Sequence, residues 1–260
     1  MKRIFVFFLL LFVFSHHLTG DFAAWAEDAF VEDLLDDDFI EDDNGQEEDI
    51  YDPLEPMNRF FFEVNDKLYY WMIKPVNRVY SAVLPADVRG CFANFFYNLA
   101  TPVSLINNLL QGEFHDAGIV LSRFVINTTL GVFGFGDPAY SEFELAPRPA
   151  DFGQTLGKYG VGGGLYLYWP IFGPTNARDF VGYFTDSYTH PVPYLSDKLV
   201  EEALYYSASK LNLISLNPDL YDDMKKYSID PYVAVRQAFY DYRRAKIRVN
   251  QHEDDFLDDM

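Results

Sequence analysis

Between Gly90 and Gly112 the chain carries no charged side chain, and apolar residues Phe92, Phe95, Phe96, Leu99, Val103, Ile106 and Leu110 recur every three or four positions. That period predicts a helix beginning near Ala86. Asn94, Asn98, Thr101 and Asn108 fall on another face, so the helix is amphipathic through amides rather than ions. Two settings suit such a helix. One is the centre of a globular bundle, with the asparagines paired internally. The other has hydrocarbon on one side and a narrow polar space on the other, where a charge costs several kcal/mol. The pattern fits both.

Earlier in the chain, Phe61, Val64, Leu68, Trp71 and Met72 share the same spacing and predict an amphipathic helix that Pro75 should end or bend. A third helix is expected over about Phe114–Leu130, followed by a loop marked by Gly131, Gly134, Gly136 and Pro138. Further helices are expected over Lys198–Leu211 and from "DPYVAVRQAFYDYRRAKIRVNQ", where Val233, Arg236, Ala238, Tyr240 and Arg243 make a cationic, aromatic element. Strand signals are few and no internal repeat is present, so the expected class is all-α.

One stretch departs from helical periodicity. "LGKYGVGGGLYLYWPIFGPTNARD", Leu156–Asp179, places Gly157, Gly160, Gly162, Gly163 and Gly164 within eight residues and runs them into a band of aromatics, with no charge between Lys158 and Arg178. A phosphate loop is a poor reading, because neither a GK[ST] ending nor a strand-turn-helix context is present.

Charge adds a second layer of organisation. The chain has 40 acids and 20 bases, a formal net charge of −20. Residues 27–52 hold fourteen acids and no base, and residues 251–260 hold five acids and no base, so the span 53–250 is close to neutral. Dense like charge resists collapse, and both ends are expected to be disordered acidic segments. For residues 27–52, metal chelation or docking on a basic partner is the alternative. Nucleic acid is not an expected partner, since neither part offers a concentrated basic face.

At the start, "MKRIFVFFLLLFVFSHHLTGDFAAWAED" combines two bases, an apolar run from Ile4 to Phe14 and small residues at Ala24 and Ala26. This is the pattern of a secretory signal cut after Ala26; an uncleaved anchor is the alternative, but the run is short of the ~20 residues needed to span a bilayer. The expected organisation is a signal over residues 1–26, an acidic linker over 27–51, a helical domain over 52–250 and an acidic tail over 251–260. The one cysteine, Cys91, can form no intramolecular disulfide and is expected as a packed core thiol. No cysteine follows the apolar run, so no lipid anchor is expected.

Candidate chemistry is sparse. His16, His17, His115, His190 and His252 are scattered, and Ser187, His190 and a nearby acid resemble a catalytic triad in composition only. No HExxH pattern or cysteine cluster points to a metal.

Four segments in order, "DPLEPMNRFFFEVND", "RFVINTTLGVFGFGDPA", "FGQTLGKYGVGGGLYLYWPIFGPTNARD" and "DPYVAVRQAFYDYR", resemble the MlaA family, also called VacJ, of phospholipid-transport proteins of the Gram-negative outer membrane. The likeness spans about Asp52–Arg244. It implies a single helical ring with an amphipathic central channel, lying in the inner leaflet of the outer membrane. It implies removal of misplaced phospholipid from the outer leaflet to a periplasmic carrier, preserving lipid asymmetry, with an outer-membrane porin as partner. No enzymatic activity, cofactor or metal is implied.

On that resemblance Gly157, Gly160, Gly162, Gly163 and Gly164 form a hairpin or hinge beside the channel, with an ordinary tight turn as the alternative. Asn94, Asn98, Asn108 and Tyr166 become channel or lipid contacts. Tyr168, Trp169 and Phe172 suit the membrane interface, where rings with a polar edge settle, with core packing as the alternative. The chain departs from the family pattern in lacking the signal-terminal cysteine, in its longer acidic linker, and in Leu165, where a proline is usual. A soluble, exported helical binding or scaffold protein is the competing reading.

Overall fold

The computed structural model describes residues 50–195 and 198–258, without the side chains of residue 199 and of residues 248–258. The segments expected as a signal, 1–26, and, in nearly all of its length, as an acidic linker, 27–51, lie outside the described residues. The elements run α1 (Glu55–Leu68), a π-turn (Tyr69–Ile73), α2 (Lys74–Val83), α3 (Ala86–Gln111), α4 (Phe114–Thr129), α5 (Pro138–Ser141), α6 (Phe152–Lys158), β1 (Tyr166–Trp169), β2 (Gly173–Asn176), α7 (Ala177–Ser187), α8 (Val192–Leu195), α9 (Leu199–Leu216), α10 (Leu220–Tyr227) and α11 (Pro231–Asp258). The fold is mostly helical, with one small antiparallel hairpin in which Tyr166 faces Asn176 and Trp169 faces Gly173.

Pro75 neither ends nor breaks the first helix. Proline lacks an N–H and crowds the carbonyl four residues back. The chain widens just before it, and the Lys74 N–H reaches back to the Tyr69 carbonyl. The helix then continues, with Pro75 in the first turn of α2.

Helix α3 ends at Gly112, whose φ of 80° gives the left-handed cap that glycine adopts without strain. The Glu113 N–H bonds back to the Asn108 carbonyl at 2.9 Å, and α4 begins at once, making α3 and α4 a tight helical pair. Two short helices are set by their caps: the Asp151 carboxylate accepts from the Gln154 N–H at 2.7 Å at the start of α6. The Asn176 side chain accepts from the Asp179 N–H at 2.8 Å at the start of α7.

Packing closes on itself. α1 lies on β1, β2 on α7, α7 on α6, α6 on α3, α3 on α9, and α9 on α2, which continues back into α1. α11 crosses this circuit, touching α6 and β2. The aromatic core sits at one side of it, where Phe62 of α1, Tyr166 and Tyr168 of β1, and Tyr232 and Phe239 of α11 meet. Phe62 stands edge-on to both Tyr168 and Tyr232, with ring centres 5.6 and 5.9 Å apart.

The last helix runs to Asp258. One expectation needs correcting. Cys91 is exposed rather than packed, because α3 turns its amides inward and much of its apolar surface out.

Candidate functional site

The α3–α4 pair is inverted relative to a helix in water. Asn98, Thr101, Asn107, Asn108 and Gln111 are buried, whereas Ile106, Leu109 and Leu110 are exposed, Leu109 by 47%. On α4, Asp116, Arg123 and Asn127 are buried while Phe114, Leu121 and Val125 face out. The turn beyond continues the theme with Leu130, Val132 and Phe133, the last 73% exposed. So many large apolar side chains left exposed on two paired helices and the turn after them mark an interaction surface rather than a water-facing one. The phenyl rings nearer the start of α3 are half covered: Phe95 stacks on Phe135 at 4.8 Å and Phe96 meets Tyr205 of α9 at 5.3 Å.

The buried amides are occupied by protein partners. Asn98 donates to Thr128 Oγ1 at 2.9 Å and lies against Gly134, where a Cβ would come within 2.5 Å of the Asn98 side chain. Asn108 donates to the Ser104 and Arg148 carbonyls at 2.9 and 3.1 Å. Asn94, half buried, lies 3.5 Å from the Phe135 carbonyl. Asn107, absent from the sequence expectation, donates to Asp186 at 2.7 Å and accepts from Thr155 at 2.9 Å, tying α3 to α7 and α6. The amide face of α3 thus faces the protein interior.

A second polar knot lies under the hairpin. Arg243 of α11 contacts Asp151 at 2.5 and 2.8 Å and Asp179 at 2.9 Å. Arg178 donates to Asp179 at 2.9 Å. Burial pushes the Asp151 carboxyl up, but Arg243, the Gln154 N–H and Arg178 together hold it below the usual carboxylate range. Four charges are thereby matched within a desolvated space, as buried ions require.

The glycine stretch forms the loop between α6 and β1. Gly160 and Gly164 have φ of 81° and 70°, in the region that favours glycine. Gly162 has open space where a side chain would stand, and a Cβ at Gly163 would lie 3.1 Å from the Asn176 side chain. Gly157 belongs to α6, beneath Ile247 and Arg178.

The strand that follows is gripped from α1 by two asparagines that the sequence reading passed over. Asn58 donates to the Tyr166 carbonyl at 3.1 Å and accepts from the Tyr168 N–H at 2.9 Å. Asn65 does the same for the Trp169 carbonyl and the Ile171 N–H, at 2.9 and 2.6 Å. Their side-chain amides stand in for a third strand along the open edge of β1. Two uncharged amides two helical turns apart, flanking Phe62, were the available signal. Lys210 of α9 donates to the Ile171 carbonyl at 3.1 Å, and burial lowers its ammonium to about 8.

β1 sorts the aromatics by alternation. Tyr166 and Tyr168 point into the core, and burial raises both phenols well above the ordinary value. Trp169 faces out, stacked on Phe180 with centres 5.4 Å apart, and Phe172 is half buried in the turn.

Ser187 donates to the Phe184 carbonyl at 2.7 Å, while His190 is buried between Tyr205 and Tyr206 and accepts from the Val192 N–H. These contacts do not join the two residues as nucleophile and base. Among the described residues there is no group of His, Cys, Asp and Glu able to hold a metal ion, and no helix long and apolar enough to cross a membrane.

The model of the family described as MlaA lipoprotein matches residues 50–246. The chain is similar to the intermembrane phospholipid transport system lipoprotein MlaA of Escherichia coli (strain K12), 33% identical over 198 residues that cover 73% of this chain and 75% of that one. It is 32% identical over 205 residues to the protein of the same name in Haemophilus influenzae, covering 75% and 79%. An uncharacterized protein of Rickettsia bellii is 34% identical over 201 residues, covering 77% and 78%. A solved structure described as the structural basis for maintenance of bacterial outer membrane lipid asymmetry superposes with a TM-score of 0.67 at 31% identity, over 76% of this chain and 99% of that one. With this match running from the residues before α1 to the middle of α11, the chain belongs to the MlaA family.

Proposed function

We propose that the protein carries phospholipid between the outer membrane and the periplasm, drawing misplaced lipid from the outer leaflet and so maintaining lipid asymmetry. The observation that supports this most is the inversion of α3 and α4. Leu109, Leu110, Leu121 and Val125 face outward while amides and ions are matched inside. A chain that keeps its hydrogen-bonding groups within and offers side-chain hydrocarbon outside is suited to lie among acyl chains. Since no described helix can span a bilayer, the body would lie within one leaflet, at the periplasmic face, held by this apolar belt. Trp169 and Phe172 would sit near the headgroups.

On this reading the closed circuit of elements surrounds the lipid's route, and the loop Gly160–Gly164 borders it. The passage breaks no covalent bond. A soluble periplasmic lipid carrier would receive the lipid, and an outer-membrane porin would hold the protein in place. Residues 1–26 would direct export, and residues 27–51 would form an extended acidic linker ahead of α1.

The test is complementation of a Gram-negative strain lacking its own family member, with phospholipid exposed at the cell surface as the readout. Restored asymmetry is expected, together with recovery of the protein in the detergent-extracted membrane fraction. A protein that stays in the supernatant after detergent-free lysis in low salt, without restoring asymmetry, overturns the reading in favour of a soluble binding or scaffold protein.

A further inference from the structure

The glycine loop is docked through three alternate carbonyls, all taken by the first two residues of α7. The Ala177 N–H donates to the Leu165 carbonyl at 3.0 Å and the Arg178 N–H to the Gly163 carbonyl at 3.1 Å. The Arg178 side chain, through Nη1, reaches the Val161 carbonyl at 3.4 Å. The two backbone donors belong to the first turn of a helix, where N–H groups lack intrahelical partners. The loop supplies what the helix start is missing.

The guanidinium is fixed from behind. Arg178 is buried, its Nε donates to Asp179 at 2.9 Å, and Asp179 is itself held by Arg243 and by Asn176 Nδ2, both at 2.9 Å. Its path runs over the end of α6 at Gly157, where a Cβ would fall 2.9 Å from Nη1. In front of it the loop leaves α6 with the Gly160 and Val161 N–H groups bonded to the Gly157 and Leu156 carbonyls, both at 2.9 Å; past that point side chains added at Gly160 or Gly162 would meet nothing within 4 Å, and Val161 and Leu165 are exposed. One planar group thus bridges a rigid charged knot and the carbonyl side of the loop, and only an arginine has separate nitrogens for both.

We infer that Arg178 is a positioning residue that latches the glycine loop onto the start of α7 and sets how often the loop leaves it. The inference rests on the reading of this loop as the border of the lipid route. The latch is the longest of the three docking bonds, so its removal frees the loop without unmaking the knot. Arg178→Lys tests this, because lysine keeps a cation beside Asp179 but cannot also reach Val161.

Hydrogen exchange is followed on the full chain in detergent. The amides of Ala177 and Arg178, whose partners are the loop carbonyls, are expected to exchange about tenfold faster in R178K. The capping amides of Gln154 and Asp179 should be unchanged, and so should the melting temperature. Unchanged exchange at 177 and 178 overturns the latch. So does a rise spread across α6 and α7 with loss of melting temperature, or a failure to fold, since Arg178 then serves only the buried charge balance. Faster exchange with unaltered lipid transport keeps the latch and instead removes the loop from transport.

Discussion

The side of the molecule built by α1, β1 and the first turns of α11 buries Phe62, Tyr166, Tyr168, Tyr232 and Phe239, while the side built by α3, α4, α6 and α7, with Arg243 reaching in from α11, buries Asn107, Asn108, Thr155, Asp179 and Asp186. The first is organised as soluble proteins are, with hydrocarbon withdrawn from water. The second withdraws its hydrogen-bonding groups instead, leaving leucine, valine and phenylalanine outside. One chain is thus stabilised by different terms on its two sides: area burial and ring contacts on one, matched polar groups on the other.

The largest expected effects test whether both interiors carry stability. Phe239→Ala should cost about 3–5 kcal/mol through the cavity it leaves. Arg243→Leu should cost a similar ~3–5 kcal/mol, because Asp151 and Asp179 would lose their shared cation in a desolvated place. Denaturant titration of both variants in mild detergent measures this, and a silent Arg243→Leu would break the comparison on the polar side.

Next comes acid. Burial lowers the imidazole of His190 to about 4, from an ordinary 6.5. Its folded value lies below its unfolded one, so the unfolded chain takes up the proton first as pH falls. This contribution is full above about 6.5 and is lost as pH falls towards 4. The loss is about 3 kcal/mol across that window. Melting temperature against pH should therefore fall less steeply in His190→Phe than in the parent protein, and equal slopes would contradict the assignment.

A smaller pair of changes sharpens the inversion. Asn107→Leu takes one buried hydrogen bond each from Asp186 and Thr155 and should cost roughly 1–3 kcal/mol. Leu109→Asn, two positions along the same helix, should change stability by no more than ~0.5 kcal/mol. Its effect should appear as weaker retention in liposome flotation. The reverse ordering would mean that α3 faces water after all.

A last pair of changes concerns the loop. Gly164→Val meets a φ of 70° and the Ala177 methyl at 3.1 Å, so it should cost on the order of 1 kcal/mol or more. Gly162→Val meets open space at an ordinary φ and should stay within ~0.5 kcal/mol. If bulk beside the lipid route matters in itself, Gly162→Val will lower transport with stability intact, read as surface-exposed phospholipid alongside melting temperature.

Much of the helical framework is readable from the chain. The start of α3 near Ala86 and the span of α4 from about Phe114 to Leu130 follow from a 3.6-residue period, which is a local signal, while the end of α3 at Gly112 comes from the structure. What a period cannot state is which face is inside. The sequence groups Asn94, Asn98 and Asn108 on one face but cannot show their partners, because Asn98 bonds to Thr128 and Asn108 to the Arg148 carbonyl, each 30 or more residues along the chain. The short α6 and α7 were missed since their caps, Asp151 and Asn176, precede helices too brief for periodicity to register. Asn58, Asn65 and Arg178 were missed for a related reason: each acts on a backbone more than a dozen residues away.

The wide turn at Tyr69–Ile73 has a bearing on how the chain keeps its bearings beyond it. Each residue of an uninterrupted α-helix advances the face by ~100°, which would set Asn77 about a quarter-turn off the buried stripe of Asn58, Phe62 and Tyr69. A π-turn absorbs one extra residue, and the phase slips back by that amount. Asn77 returns to the stripe, buried and directed at the Ile214 carbonyl of α9. The turn works as a phase correction: a rod one residue shorter here, and without Pro75, would present the same face to its neighbours. The extra residue and the proline form a matched pair, each making the other tolerable, and the two halves of the rod act on the ring as a single helix.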